Sequence, residues 1–154
     1  TNGRLPMYHH GTLRNIPYLR EIYPVPELWI NPVDAEAYGI QDGTWAWIES
    51  RRGKTRGKAK VTTCIPKGVL YQERFWNPEF LDAEDPTPAF TAMNYNVLTK
   101  TEAPYNPEFG TYTLRGIMVK VYPCPEGAPE GTWTEPADFE PWMPQPSDPT
   151  KKVF

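Results

Sequence analysis

The opening segment holds the first residues able to do chemistry: Gly3-Arg4-Leu5-Pro6-Met7-Tyr8-His9-His10-Gly11-Thr12-Leu13-Arg14. The two glycines let a ligand approach the backbone closely. Arg4 and Arg14 can fork onto phosphate oxygens. His9, His10 and Thr12 add hydrogen-bonding groups, and Tyr8 offers a ring for stacking. Binding a large, phosphate-bearing heterocycle calls for such a set. A polar loop facing solvent would use the same residues, and the segment alone does not choose between the two. Adjacent histidines diverge and no third ligand lies near, so no metal is expected here.

Asn94, Asn96 and Thr99 form a second polar cluster. An asparagine offers both donor and acceptor to a heterocycle edge, and it also serves ordinary turns. A third group is basic: Arg51, Arg52, Lys54, Arg56, Lys58 and Lys60. With aromatics interleaved it could touch single-stranded nucleic acid, but a solvated hairpin tip explains it more simply. The net charge of -3 gives no general attraction to nucleic acid or anionic membrane. Cys64 and Cys124 form no CxxC pair and have no histidine at zinc-ligand spacing, and they read as unrelated thiols. No GxxxxGK[ST] loop, GxGxxG turn or nucleophile elbow occurs. No stretch approaches the ~20 apolar residues of a membrane span, so direct membrane insertion is not expected.

These groups need elements to hold them. The chain has 154 residues, of which 39% are hydrophobic, and this suits one domain with a tail. Nineteen prolines disfavour long helices. Residues 1 to 26 read as a long loop with one short helical turn. Leu28-Trp29-Ile30 reads as a buried strand. Asn31 and Pro32 then open a helix that Gly39 closes, so a helix is expected from Pro32 to Tyr38. Asp34 is expected to fix the helix start. Thr44 to Ser50 alternates as a strand, with Trp45, Trp47 and Glu49 on one face and Ala46, Ile48 and Ser50 on the other. Arg51 to Lys54 turns the chain, and 57 to 63 returns. Val69-Leu70-Tyr71 and Gly116 to Tyr122 add strands. Residues 77 to 92 read as an exposed acidic loop. About six strands result, and closing them into a small barrel would remove their exposed edges. Residues 124 to 154 read as an extended proline-rich tail after a domain at 1 to 123.

Taken in order, these pieces resemble a known family. The opening loop, the block from Trp29-Ile30-Asn31-Pro32 to Asp42-Gly43, the strand with Arg52-Gly53 after it, Ile65 to Val69, Asn94 to Thr99 and Tyr112 to Val121 are similar to the C-terminal molybdopterin dinucleotide-binding domain of the dimethyl sulfoxide reductase family. The resemblance covers roughly residues 1 to 122. It implies a six-stranded double-psi β-barrel with one or two short helices. It also implies a bis(molybdopterin guanine dinucleotide) cofactor with molybdenum or tungsten. The cofactor-binding residues implied are Arg4, Tyr8, His9, His10, Gly11, Thr12, Leu13, Arg14, Asn96 and Arg115. No catalytic residue or metal ligand is expected in this chain, because the family's metal ligand and iron–sulfur cysteines lie in earlier domains. The chain opens on Thr1 and is expected to be a piece of a longer prokaryotic oxidoreductase, cytoplasmic or exported, and inactive alone. The partners implied are the remaining domains of that catalytic subunit and an iron–sulfur electron-transfer subunit. The alternatives are a separate small barrel subunit without redox chemistry and a nucleic-acid-binding barrel.

Overall fold

The protein is described from a computed structural model. The structure describes residues 2–3, 5–8, 13, 16, 19, 22–23, 25–73, 94–100, 105–111 and 116–128. Six strands form one mixed sheet in the order β1-β5-β2-β4-β3-β6. They are β1 (Asn2–Gly3), β2 (Glu27–Ile30), β3 (Trp45–Glu49), β4 (Lys54–Val61), β5 (Tyr71–Glu73) and β6 (Lys120–Pro123). β2 runs parallel to β4 and β1 parallel to β5, while the other pairs are antiparallel. The structure is mainly β. A pairing that would close the sheet is not seen among the described residues.

The helix α1 spans Pro32–Tyr38, as its start and stop signals predict. The Asn31 side chain accepts from the Val33 amide, and Gly39 sits at φ 66 in the left-handed region that stops the helix. The same Asn31 also donates to the Ile65 carbonyl (2.9 Å). Asp34 differs from expectation. Its Oδ2 accepts from the Gly68 amide at 2.6 Å, so it fixes the Ile65–Gly68 turn and not the helix start. Both polar side chains therefore tie α1 to the segment that leads into β5.

The hairpin is tighter than its sequence suggests. Glu49 pairs with Lys54, so the return strand begins at Lys54, and residues 50 to 53 form the turn. Ser50 donates its amide to the Gly53 carbonyl across that turn. One sheet face is apolar. Leu28, Ile30, Ala46, Ile48, Ala59 and Val121 join Ala35, Ile40 and Leu98 in one core. Leu28 and Ile30 are wholly buried, and each stabilises the fold by about 1.5–3 kcal/mol. The strand expected from Gly116 begins only at Lys120, and the strand expected at Val69 begins at Tyr71. The acidic loop expected at 77 to 92 and the tail beyond residue 128 lie outside the described residues.

The first tail residues are held against the sheet. Cys124 is buried, and its amide donates to the Trp45 carbonyl. Arg56 Nη1 donates to the Gly127 carbonyl at 2.9 Å. Trp47 Nε1 donates to Glu126 Oε2 at 3.1 Å. The alternation expected across Thr44 to Ser50 puts Trp47 on the face opposite Ala46 and Ile48, which lie in the core, and these contacts bury it there.

Candidate functional site

The outward sheet face carries a row of indoles under cations. Lys54 Nζ lies 4.1 Å and Arg56 Cζ 4.7 Å from the Trp47 ring. Lys60 pairs with Glu27 at 3.1 Å and lies 5.5 Å from the Trp29 ring. Lys54, Arg56 and Lys60 are thus committed to contacts within the chain. The Tyr71 ring stacks 4.9 Å from Trp29, and its hydroxyl donates to Glu73 at 3.4 Å. Burial, then the Glu73 carboxylate, push the Tyr71 phenol up to about 12. Burial, then Glu27, push Tyr23 well above the usual tyrosine range. Burial and the Glu126 carboxylate raise the Cys124 thiol, which makes it a packing group and not a ready thiolate.

Three of the ten expected cofactor-binding residues lie in described regions: Tyr8, Leu13 and Asn96. Tyr8 is buried, and its hydroxyl donates to the carbonyls of Leu19 (3.0 Å) and Tyr23 (2.9 Å). Its ring meets Tyr23 edge-on at 6.3 Å. The open stacking face expected of Tyr8 is not there, because the ring packs with Leu5 and Tyr23 in a second small core beside Trp45. Tyr8 instead anchors the base of the opening loop. Leu13 is exposed and holds φ 70, the one positive φ at a non-glycine residue among those described. A branched side chain in that region costs about 1–2 kcal/mol. Arg4, His9, His10, Gly11, Thr12, Arg14 and Arg115 lie outside the described residues.

Asn96 lies on η1, a 3-10 helix spanning Tyr95–Leu98. Asn94 caps it by accepting from the Asn96 amide, and the Thr99 hydroxyl donates to the Asn96 carbonyl. Local turn chemistry therefore uses Asn94 and Thr99, as the simpler reading allowed. The Asn96 carboxamide is exposed, and no hydrogen bond to it occurs among the described residues. Leu98 is 2% exposed and pins η1 into the core.

Beside η1 lies a hollow of about 490 Å³. Arg51 and Arg52 reach it from the hairpin turn, Thr99 and Lys100 from the end of η1, and Gly116 and Met118 from the segment before β6. The chain that follows Asn96 and the chain that follows Arg115 therefore meet at one concavity. Tyr8 and its cluster pack against Trp45, at the start of β3, whereas the hollow adjoins Ser50, just past its end. Arg51 and Arg52 belong to the basic hairpin group that the sequence favours as a solvated tip, and here they line this hollow. A second hollow of about 590 Å³ runs between α1, the Gly68–Leu70 turn and the 116–122 segment, with largely apolar walls. Among the described residues, no three His, Cys, Asp or Glu side chains cluster to hold a metal ion, and no helix is long and apolar enough to cross a membrane.

Residues 1–114 match the family model described as the molybdopterin dinucleotide binding domain. A dopamine dehydroxylase of Eggerthella lenta is 37% identical over 131 residues, which is 84% of this chain and 12% of that protein. The acetylene hydratase of Syntrophotalea acetylenica is 31% identical over 112 residues, 69% of this chain and 15% of that protein. Among solved structures, the acetylene hydratase from Pelobacter acetylenicus is similar in fold, with a TM-score of 0.69 at 24% identity. That likeness covers 80% of this chain and 18% of the solved one. The chain thus spans less than a fifth of the length of these proteins.

Proposed function

The chain belongs to the molybdopterin dinucleotide-binding domain family, and from that premise we propose that it forms one wall of a bis(molybdopterin guanine dinucleotide) pocket in the catalytic subunit of a molybdenum- or tungsten-dependent oxidoreductase. The observation that carries this is the family match across residues 1–114, which includes the opening loop and Asn96. The matched relatives are several times longer than this chain, which supports its being one domain that does not turn over substrate alone.

The residues present fit such a cofactor. Asn96 holds out an uncommitted carboxamide able to donate and accept at a heterocycle edge. The Leu13 backbone is held in a costly conformation within the opening loop, a feature that concentrates at ligand-binding segments. Tyr8 clamps two carbonyls and gives that loop a fixed root. In this proposal Arg4, Arg14 and Arg115 hold diphosphate oxygens, and His9, His10, Gly11 and Thr12 supply further donors. When bound, the cofactor supplies two-electron redox chemistry at its metal. This chain's part is to bind and orient it. We further propose that the sheet closes as a six-stranded double-psi β-barrel, with residues 124 to 154 as an extended tail whose first residues, Cys124 to Gly127, are held on the sheet. The mixed pairing with β2 parallel to β4, and the fold likeness to acetylene hydratase, support that reading.

The test is the metal and pterin content of the purified parent enzyme. Arg115→Ala should weaken cofactor retention by about 1–3 kcal/mol, and Asn96→Ala by somewhat less. Undiminished cofactor in the Arg4→Ala/Asn96→Ala/Arg115→Ala triple variant would refute the assignment.

A further inference from the structure

We propose that the hollow between α1 and β6 is the docking groove for a segment of this chain's own tail, Glu135-Pro136-Ala137-Asp138-Phe139-Glu140-Pro141-Trp142-Met143-Pro144. The groove measures about 590 Å³. Asp34 and Tyr38 line it from α1, one helical turn apart. Val69 and Leu70 line it from the turn before β5, and Ile117 and Val119 from the chain that enters β6. β6 ends the sheet, and no further strand pairs with its outer edge among the described residues. Large apolar side chains stand in water around the groove: Met118 is 89% exposed, Tyr38 54% and Val69 37%. Apolar groups gathered at one concave place mark a contact surface, whereas scattered ones need no partner.

Reach, charge and side-chain type select the occupant. β6 runs directly into the tail, which Arg56 holds on the sheet as far as Gly127. Residues 129 to 154 follow that anchor. An extended chain advances ~3.3 Å per residue, so about ten residues cover ~30 Å, the width of a small domain. Phe139 and Trp142 thus reach the groove with the anchor kept. The segment carries Glu135, Asp138 and Glu140 and no basic residue. The groove presents the exposed Lys120, and the exposed Lys67 stands next to Gly68, which lines it. Its own carboxylate, Asp34, is buried and already accepts from the Gly68 amide. Glu36, the other acid of α1, does not line it. Phe139, Trp142 and Met143 are large apolar groups suited to apolar walls. Proline fixes φ and favours an extended backbone, so Pro136, Pro141 and Pro144 lower the ordering cost of docking. Proline-rich segments seat on aromatic-lined grooves, and Tyr38 and Tyr122 supply the rings here. The tether also sets the tail's local concentration on the order of millimolar, which a second copy or an untethered partner lacks.

The test is photo-cross-linking in the full polypeptide that carries this chain, with p-benzoylphenylalanine incorporated in place of Trp142. The cross-linked peptides are mapped by mass spectrometry. The expected products join the tail segment to residues 67–70 or 116–122 of the same polypeptide. Met118→Asp places a charge on the rim at a position that is 89% exposed, where the fold tolerates it, and should lower the yield of these products several-fold. Lys67→Glu/Lys120→Glu should lower it at low salt, with the difference shrinking as salt rises. Products confined to another domain or to a second copy overturn the proposal, as does a yield unchanged by Met118→Asp. A second measurement needs no probe. Deleting residues 129 to 154 from the full polypeptide should speed amide hydrogen exchange across 116–122 several-fold, and exchange equal to wild type overturns the docking.

Discussion

Asn31 performs two tasks with one side chain. Its Oδ1 accepts from the Val33 amide, and its Nδ2 donates to the Ile65 carbonyl. The first was legible in the sequence, because a cap is set by residues two or three apart. The second was not, because the partner lies 34 residues away. Asp34 makes the same point, since its bond to Gly68 is also long-range. Among the candidate site residues, Asn96 could be picked out by residue type, but the burial of Tyr8 could not. Its clamp depends on carbonyls 11 and 15 residues downstream. Asn31→Ala removes both of its bonds and leaves the Ile65 carbonyl without that donor. We expect a loss of about 1–3 kcal/mol in denaturant unfolding. Asn31→Asp keeps the cap acceptor but not the donor, and should lose less than Asn31→Ala if capping dominates. A change of only a few tenths in Asn31→Ala would show that neither bond matters.

The elements were readable where a local signal brackets them and misplaced where a neighbour decides. The helix Pro32–Tyr38 came out with its bounds intact, because Asn31, Pro32 and Gly39 all act locally. The hairpin was expected, but β4 begins at Lys54 because cross-strand pairing with Glu49 continues to the edge of the turn. β6 begins late, at Lys120, opposite Glu49, where the end of β3 sets its limit. Gly57 shows how tightly β4 is fitted between its neighbours. A Cβ there would lie 2.9 Å from Gln72 Nε2, 3.0 Å from Leu28 Cβ and 3.1 Å from the Pro26 carbonyl oxygen. Gly57→Ala should therefore cost about 1–3 kcal/mol by overpacking. Gln72 is the adaptable one of the three neighbours, so Gly57→Ala/Gln72→Ala should show a coupling of at least about 0.5 kcal/mol in a double-mutant cycle. Strict additivity in unfolding measurements would mean that the sheet opens at Gly57 rather than pressing on Gln72.

At the scale of the whole molecule, the sheet order brings distant segments together in a way that periodicity alone could not foretell. β5 and β2 join Tyr71 to Trp29, and β6 leads the chain to Cys124–Gly127, which covers Trp47. The outward face thereby becomes a partly buried layer of aromatic rings and charges. Its tyrosines tie stability to pH. In the unfolded chain Tyr71 ionises at the ordinary tyrosine value of 10.0, and in the fold its phenol is pushed up to about 12 by burial and the Glu73 carboxylate. The folded state thus holds this proton more tightly, and stability from Tyr71 is fully present below pH 10. It declines as pH rises toward 12, because unfolding then releases the proton. Tyr23 is raised further still, so its contribution falls over the same range and beyond. Thermal melts across pH 9 to 12 should show a steep drop for wild type. Tyr71→Phe keeps the ring beside Trp29 but has no phenol to ionise, so its melting temperature should fall less steeply across that interval. The residual slope should belong largely to Tyr23 and diminish again in Tyr23→Phe/Tyr71→Phe. Equal slopes in wild type and Tyr71→Phe would mean that the Tyr71 hydroxyl is solvated, and that the Trp29–Tyr71 layer is open to water when the chain is folded.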